Sequence, residues 1–171
     1  ETLFDWIVSD FGLNDAIELR LQTSRSAIFT GVVQANEMFD LTLCNPPFHA
    51  SLAEANAGTQ RKWKNLGKEA ARQPLLNFGG QGAELWCDGG EEAFACRMIE
   101  ESAQLRGSCL WFTTLVSKSA SLPGVYRALK RTGVLGSRTI EMAQGQKKSR
   151  IVAWTFLDES RQRAWRMARW K

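Results

Sequence analysis

The feature that most constrains this chain is the sequence Asn45-Pro46-Pro47-Phe48, which directly follows a run over 39–44. The run alternates apolar and polar residues, which predicts a strand that enters a hydrophobic core. Proline fixes its own φ angle, has no N–H group, and pushes the preceding residue into an extended conformation. Two successive prolines therefore predict a stiff loop at the end of the strand, with its carbonyl groups held in fixed directions.

Such a loop is suited to bind a planar amino group. The Asn45 side-chain carbonyl and the Pro46 backbone carbonyl can accept hydrogen bonds from one exocyclic NH2 group, and Phe48 can stack on the ring that carries it. Two acceptors favour the pyramidal form of an aromatic amine, whose lone pair can attack an electrophilic methyl group. Each well-placed contact is worth about 3–4 kcal/mol, by analogy with oxyanion-hole donors. The simpler interpretation is a proline-rich turn after a buried strand.

Length and composition predict one domain with a hydrophobic core. The chain has 171 residues, 44% of them hydrophobic, and contains no apolar run long enough to span a membrane. Its four cysteines form no Cys-x-x-Cys pair, and its single histidine, His49, argues against a zinc cluster. Reduced thiols and a start unlike a signal peptide predict a cytoplasmic protein that binds no metal.

The basic residues are clustered along the chain. The net charge is only +4, but Lys and Arg concentrate in the segments 61–72, 138–150 and 161–171. Such clusters indicate contacts with phosphate groups, or they form an ordinary solvated surface. Trp63, Trp165 and Trp170 lie among these charges. Because indole rings stack on unpaired bases, this arrangement favours RNA as a partner.

The hydrophobic periodicity predicts alternating helices and strands. The predicted helices lie at 2–10, 90–103, 121–132 and, in a basic tail, 158–171. The predicted strands lie at 16–21, 39–44, 109–116, 139–142 and 151–157. The segment 27–33 fits a short helix or a turn, and 49–88 is a long loop or lid. This order predicts an α/β fold, with a mostly parallel sheet that ends in an antiparallel hairpin.

A complete Rossmann-like fold of this kind would begin with a strand and a glycine-rich turn, followed by a strand that ends in an acidic residue. Neither part is found in 1–171, and Gly79-Gly80-Gln81-Gly82 follows no predicted strand. We therefore interpret 1–171 as the acceptor-binding part of a single domain that lacks its first two strands. Because the strand at 39–44 would then lose a neighbour, we expect self-association or re-pairing along the open sheet edge.

Several motifs in chain order resemble those of one family, the bacterial 23S rRNA (adenine(1618)-N(6))-methyltransferases, also called ribosomal RNA large subunit methyltransferase F-like proteins. The motifs lie at 44–49, 76–80, 84–91, 111–113, 142–147 and 149–156. The resemblance extends to the eukaryotic U6 small nuclear RNA adenine methyltransferases. It implies a class I, S-adenosylmethionine-dependent methyltransferase fold, S-adenosyl-L-methionine as methyl donor, and 23S rRNA or the large ribosomal subunit as partner.

The resemblance also implies roles for individual residues. Asn45, Pro46, Pro47 and Phe48 are the implied catalytic residues. Asn45, Pro46 and Phe48 would hold and stack the target adenine, and Pro47 would stiffen the loop. The implied cofactor contacts are Asn45 and the loop residues Ser24, Arg25 and Ser26. Four residues near a predicted basic turn would contact the RNA or close over the cofactor: Gln144, Lys147, Lys148 and Arg150.

Three alternatives stay open on the sequence. A protein glutamine methyltransferase uses Asn-Pro-Pro-Tyr on an amide by the same hydrogen bonds, and DNA adenine is a further acceptor. A third alternative is a non-catalytic RNA-binding fragment. The basic clusters, and Phe48 where a tyrosine would stand, favour a nucleic acid as substrate.

Overall fold

The computed structural model describes residues 8–24, 26–51, 53–54, 86–144 and 147–170. Its contacts divide the chain into two units, Glu1–Ala35 and Asn36–Lys171. Most of the predicted loop or lid over 49–88, including Trp63 and the glycines at 79–82, lies outside the described residues. No helix in the described ranges has the length and apolar character that a bilayer span requires.

The first unit has little regular structure over its described residues. Residues 8–10 are helical, in agreement with the predicted helix end, but the predicted strand over 16–21 is wrong. That segment contains a turn and a stretch outside any ladder. The Arg20 side chain donates to the Glu18 carboxylate at 2.7 Å and to the Val32 carbonyl at 2.8 Å. An alternating pattern does not by itself supply a neighbouring backbone, which a strand needs to satisfy its hydrogen bonds.

The second unit is built on a four-stranded sheet. Its central strand β2 (Cys109–Val116) is almost entirely buried, as its near-continuous apolar sequence predicts. Strand β1 (Phe39–Leu41) is parallel to β2 and pairs with one edge of it. Strand β4 (Lys147–Thr155) is antiparallel to β2 and pairs with the other edge of β2. Strand β3 (Gly136–Gln144) pairs with β4. The order β1-β2-β4-β3 therefore joins a parallel pair to the predicted antiparallel hairpin.

The hairpin strands are longer toward the tip than the sequence predicts. Lys147, Lys148 and Arg150, predicted in a basic turn, lie on β4 and pair with β3. The exposed side chains of a hairpin face water, so polar residues are compatible with strand geometry there. Their polarity was therefore a poor guide to where the strand begins.

Helix α1 (Gly90–Ser102) contacts the sheet through a buried tryptophan. The Trp154 ring stacks on Phe112, with 5.8 Å between ring centroids, and its indole N–H donates to Ser102 Oγ at 3.0 Å. This hydrogen bond matters because an indole N–H buried without an acceptor destabilises a core. The cysteines at 44, 87, 96 and 109 are free thiols, and burial raises the pKa of Cys109 to about 12.

Helix α2 (Leu122–Thr132) follows a short 3-10 turn, Ser119–Ser121, and begins and ends as predicted. Pro123 lies in its first turn, and Gly133 caps its C-terminus with a φ of 71°. Its inward face contains Val125 and Leu129, which are buried. Tyr126 is 45% exposed, and its hydroxyl hydrogen-bonds Thr139 Oγ1 at 2.9 Å.

The basic tail forms helix α3 (Glu159–Arg169), as predicted, and the Asp158 carboxylate caps its N-terminus. Trp165 is buried, and its indole N–H donates to the Asp40 carboxylate at 2.6 Å. Arg169 Nε and the Trp170 indole donate to the same carboxylate at 3.1 and 3.2 Å. The buried Trp165 is therefore unavailable to stack on bases, contrary to the interpretation from the sequence, and α3 is fastened to β1 instead.

We expect Asp40→Asn to weaken the docking of α3 in a pH-dependent way. Hydrogen bonds from Arg169 and Trp165 lower the pKa of Asp40 from 3.8 to about 2. Since this pKa is lower in the folded protein, Asp40 stabilises the fold above pH 3.8, and that contribution is lost as the pH falls toward about 2. The unfolding temperature, measured against pH, should depend less on acid pH in Asp40→Asn than in the wild type.

Replacement of the exposed Asp88 by asparagine is the matched control for this experiment. An equal dependence of the unfolding temperature on acid pH in Asp40→Asn and the wild type would contradict the prediction.

Candidate active site

Hydrogen bonds to β2 continue along the chain beyond the end of β1. The Leu115 N–H donates to the Cys44 carbonyl at 2.9 Å. Thr113 contributes two further bonds, from its N–H to Thr42 Oγ1 at 3.2 Å and from its hydroxyl to the Thr42 carbonyl at 2.5 Å. The chain is thus held against β2 as far as Cys44, and Asn45 follows at the carboxyl edge of the parallel pair.

The four motif residues differ in exposure. Asn45 is exposed, Pro46 and Pro47 are buried, and Phe48 is half-buried. Among the described residues, none forms a hydrogen bond with the Asn45 side chain, so its amide is available to a ligand. Burial raises the pKa of the neighbouring Cys44 thiol, which keeps it protonated and poorly nucleophilic near neutral pH. The site therefore offers an exposed amide next to two buried prolines, and it offers no nucleophilic thiolate.

A second set of contacts holds the residues after the motif. Lys118 Nζ donates to the Phe48 carbonyl at 3.2 Å and to Glu54 Oε1 at 3.3 Å. Glu54 Oε2 accepts from the Ala50 N–H at 2.8 Å. The hydrogen bond from Ala50, followed by that from Lys118, lowers the pKa of Glu54. Sequence reasoning missed both charged residues, although Lys118 stands two positions after the predicted strand end, where functional side chains are expected.

A buried carboxylate supports the loop that carries Lys118. Glu91, in the first turn of α1, accepts hydrogen bonds from the Ser117 N–H, from the Lys118 N–H at 3.0 Å and from Ser121 Oγ at 3.2 Å. The sequence identifies Glu91 only as an acidic residue suited to a helix N-terminus. The structure shows that it also fixes the loop between β2 and α2.

The basic hairpin reaches the same edge of the sheet as Asn45. Val116, the last residue of β2, pairs with Arg150 of β4. Because the two strands are antiparallel, the part of β4 that precedes Arg150 extends past the carboxyl end of β2. Lys148 is exposed there, whereas the Arg150 side chain is only 15% exposed and lies 3.5 Å from the Glu141 carboxylate. Lys148 is therefore the freer of these two cations. Gln144 and Lys147 are paired at the end of the hairpin.

The residues implied as cofactor contacts lie in the first unit. Ser24 and Ser26 are exposed, and their hydroxyl oxygens are 3.1 Å apart. The Ser24 N–H donates to Gln22 Oε1 at 2.9 Å, while Gln22 Nε2 donates to the Thr30 carbonyl at 2.9 Å. Arg25 lies outside the described residues. The loop thus has exposed hydroxyl groups on a backbone held by its own side chains.

The four-stranded sheet belongs to a class I methyltransferase fold, which confirms the predicted fold class. A family model described as RNA methyltransferase matches residues 4–158, and the chain belongs to this family.

Two relatives have the name ribosomal RNA large subunit methyltransferase F. That of Methylobacillus flagellatus is 54% identical, over 96% of this chain and 54% of its own length. That of Pseudomonas putida is 56% identical, over 95% of this chain and 52% of its own length. The chain thus spans about half the length of these curated relatives.

Solved structures agree with this family. The hMettl16 catalytic domain in complex with the MAT2A 3'UTR hairpin 1 superposes with a TM-score of 0.69 at 26% identity, over 91% of this chain and 51% of that one. The N-terminal domain of human METTL16 in complex with SAH gives a TM-score of 0.61 at 22% identity, over 90% and 47%. The second likeness concerns the fold alone.

Proposed function

We propose that the full-length protein transfers a methyl group from S-adenosylmethionine to the exocyclic amino group of an adenine in large-subunit ribosomal RNA, in the cytoplasm. The observation that carries this proposal is the exposed Asn45 amide at the carboxyl edge of β1, followed by two buried prolines. The names of the curated relatives, about half of whose length this chain covers, support the choice of ribosomal RNA. The RNA hairpin bound by the hMettl16 catalytic domain supports RNA as the class of substrate.

In the proposed reaction, the motif binds the acceptor amine and makes it nucleophilic. The Asn45 side-chain carbonyl and the Pro46 carbonyl each accept a hydrogen bond from one N–H group of the amine, and Phe48 stacks on the base. S-adenosylmethionine, when bound, supplies a methyl group on a positively charged sulfur. As the new N–C bond forms, the bond from the methyl group to the sulfur would break, and the sulfur would leave as a neutral thioether. The amine nitrogen becomes positively charged, and both carbonyl dipoles stabilise that charge. The nitrogen then releases one proton to water, so no general base is needed before the attack.

The described residues fit part of a cofactor site. Asn45 has an unengaged amide at the edge where ligands of open α/β sheets bind. We propose that Asn45 contacts the donor. For the first unit we propose separately that Ser24 and Ser26, whose hydroxyl groups are exposed, contact the donor together with Arg25.

The glutamine methyltransferase alternative uses the same hydrogen bonds but needs no basic surface. The hairpin with Lys148 extends past the carboxyl end of β2, toward the edge that carries Asn45, and this placement favours a phosphate-bearing substrate. Incubating the full-length protein with methyl-labelled S-adenosylmethionine and separate pools of large-subunit RNA, duplex DNA and ribosomal protein tests the choice. We expect label in the RNA alone. Label in DNA or protein would contradict the proposal.

We expect the double variant Lys147→Ala with Lys148→Ala to weaken RNA binding and to reduce its salt dependence. Binding releases fewer counterions when phosphate contacts are lost. On single strands each contact contributes about 0.7 to the slope of log affinity against log salt concentration, so the loss of two contacts should make this slope shallower by about 1.4. Filter binding or fluorescence anisotropy across a salt series measures both quantities. Lys130→Ala, at an exposed lysine near the end of α2, is the matched control. An unchanged slope in the double variant would exclude these lysines as phosphate contacts.

Among the described strands, β1 lies at the edge of the sheet, and this position bears on self-association. Within the described sheet β1 pairs only with β2, and Leu41 is 51% exposed beside it. We propose that residues 1–171 in isolation would pair along this edge, with a second copy or with another strand.

A further inference from the structure

Lys118 connects the Asn45–Phe48 motif to the loop that follows β2. Its ammonium group donates to the Phe48 carbonyl at 3.2 Å, and its backbone N–H donates to the buried Glu91 carboxylate at 3.0 Å. The side chain therefore reaches the motif from a backbone that is itself fixed. No other lysine or arginine in the described ranges donates to a carbonyl of residues 45–48.

The two ends of the motif are held by the same short segment. Upstream, the Leu115 N–H binds the Cys44 carbonyl; downstream, Lys118 binds the Phe48 carbonyl. Prolines fix φ but leave ψ to be set by contacts. A loop held only at Cys44 would keep rotational freedom at the peptide units that orient the Asn45 amide and the Phe48 ring, whereas a contact at both ends removes it.

This contact is poorly explained as a source of stability. The Lys118 and Glu54 side chains are 51% and 44% exposed, and ion pairs of that exposure contribute about 0–1 kcal/mol. It is also poorly explained as an RNA phosphate contact, since the ammonium already has a carboxylate and a carbonyl as partners. What remains is control of the position of the motif.

We propose that Lys118 is a positioning residue for the methyl acceptor. It binds the Phe48 carbonyl while Glu91 holds its backbone, and thereby fixes the orientation of residues 45–48 toward the amine. This inference rests on the proposed function and adds a residue that neither touches the substrate nor reacts.

The kinetic test compares Lys118→Met, Lys118→Arg and the control Lys130→Met in the full-length protein. Because a small misplacement of reacting groups can lower a rate by about a hundredfold, we expect Lys118→Met to lower kcat by about 10- to 100-fold. The KM for RNA should stay within about twofold. Lys118→Arg retains a donor and should recover most of the activity. A raised KM with unchanged kcat would identify an RNA contact and would overturn the proposal.

Hydrogen–deuterium exchange separates this inference from the proposed function, because it needs no methyl transfer. We expect the amides of residues 48–50 to exchange faster in Lys118→Met, with no change over β2 and α2. If the wild type transfers no methyl group, the proposed reaction fails, while this local change would still support the control of the loop by Lys118. Unchanged exchange at 48–50 would overturn it, as would faster exchange throughout 109–155, which would indicate a general structural role.

Discussion

Replacement of Asn45 by alanine is expected to lower the rate of methyl transfer by about 10²- to 10³-fold. The change removes one of the two carbonyl acceptors proposed to stabilise the positive charge on the attacking nitrogen, and the loss of one preorganised dipole of this kind has that effect in other enzymes. RNA affinity should stay close to the wild-type value, because phosphate contacts dominate it. Single-turnover methyl transfer and equilibrium RNA binding by the full-length protein measure the two quantities separately.

Two further variants sharpen this test. Asn45→Asp keeps a side-chain oxygen acceptor at the same position and should retain more activity than Asn45→Ala. Asn14→Ala removes an exposed asparagine of the first unit and should behave as the wild type. If Asn45→Ala lost RNA affinity in proportion to its rate, Asn45 would serve binding rather than the chemical step. Wild-type activity in Asn45→Ala would exclude it from the reaction.

The largest effect on stability is expected for Glu91→Ala. Its carboxylate is 2% exposed and accepts from the backbone N–H groups of Ser117 and Lys118 and from Ser121. Without it, the donors of a partly buried loop lose a charged acceptor, which costs about 2–5 kcal/mol in comparable cases. Urea unfolding should show a lower midpoint for Glu91→Ala, with an unchanged slope.

The adjacent glutamate supplies the control for this experiment. Glu92 is partly exposed and lies 3.9 Å from Arg127, so Glu92→Ala should change the free energy of unfolding by less than about 1 kcal/mol. Similar midpoints for the two variants would show that the hydrogen bonds of Glu91 contribute little to stability. The support that Lys118 receives from its loop would then need another source.

Local sequence signals predicted the elements in which the residue pattern matches the burial or the end of the element in the fold. The apolar run of β2 indicated burial on both faces, and Pro123 and Gly133 marked the limits of α2. The pattern over 16–21 was misleading because alternation states which faces a strand would have but not whether a partner strand is present. The hydrogen bond between Asp40 and Trp165 could not be predicted from the local sequence, because these residues are far apart in the chain.

The site at residues 45–48 could be proposed from the sequence because the chemistry of the motif is local, and its role stays a prediction. Asn45 and its two prolines are consecutive, and the order of strands and helices places them at the carboxyl edge of the sheet. Lys118 and Glu91 could not be assigned in this way, since each looks like an ordinary charged residue near the end of an element. Their roles depend on contacts across the sheet edge, which sequence periodicity does not encode.

The identity of the methylated atom tests the proposed reaction most directly. Large-subunit RNA treated with the full-length protein and S-adenosylmethionine would be digested to nucleosides and analysed by mass spectrometry against standards. We predict a single new product, adenosine methylated on its exocyclic nitrogen, which Asn45→Ala should form about 10²- to 10³-fold more slowly. A methyl group on a ring nitrogen, on the ribose or on another base would contradict it.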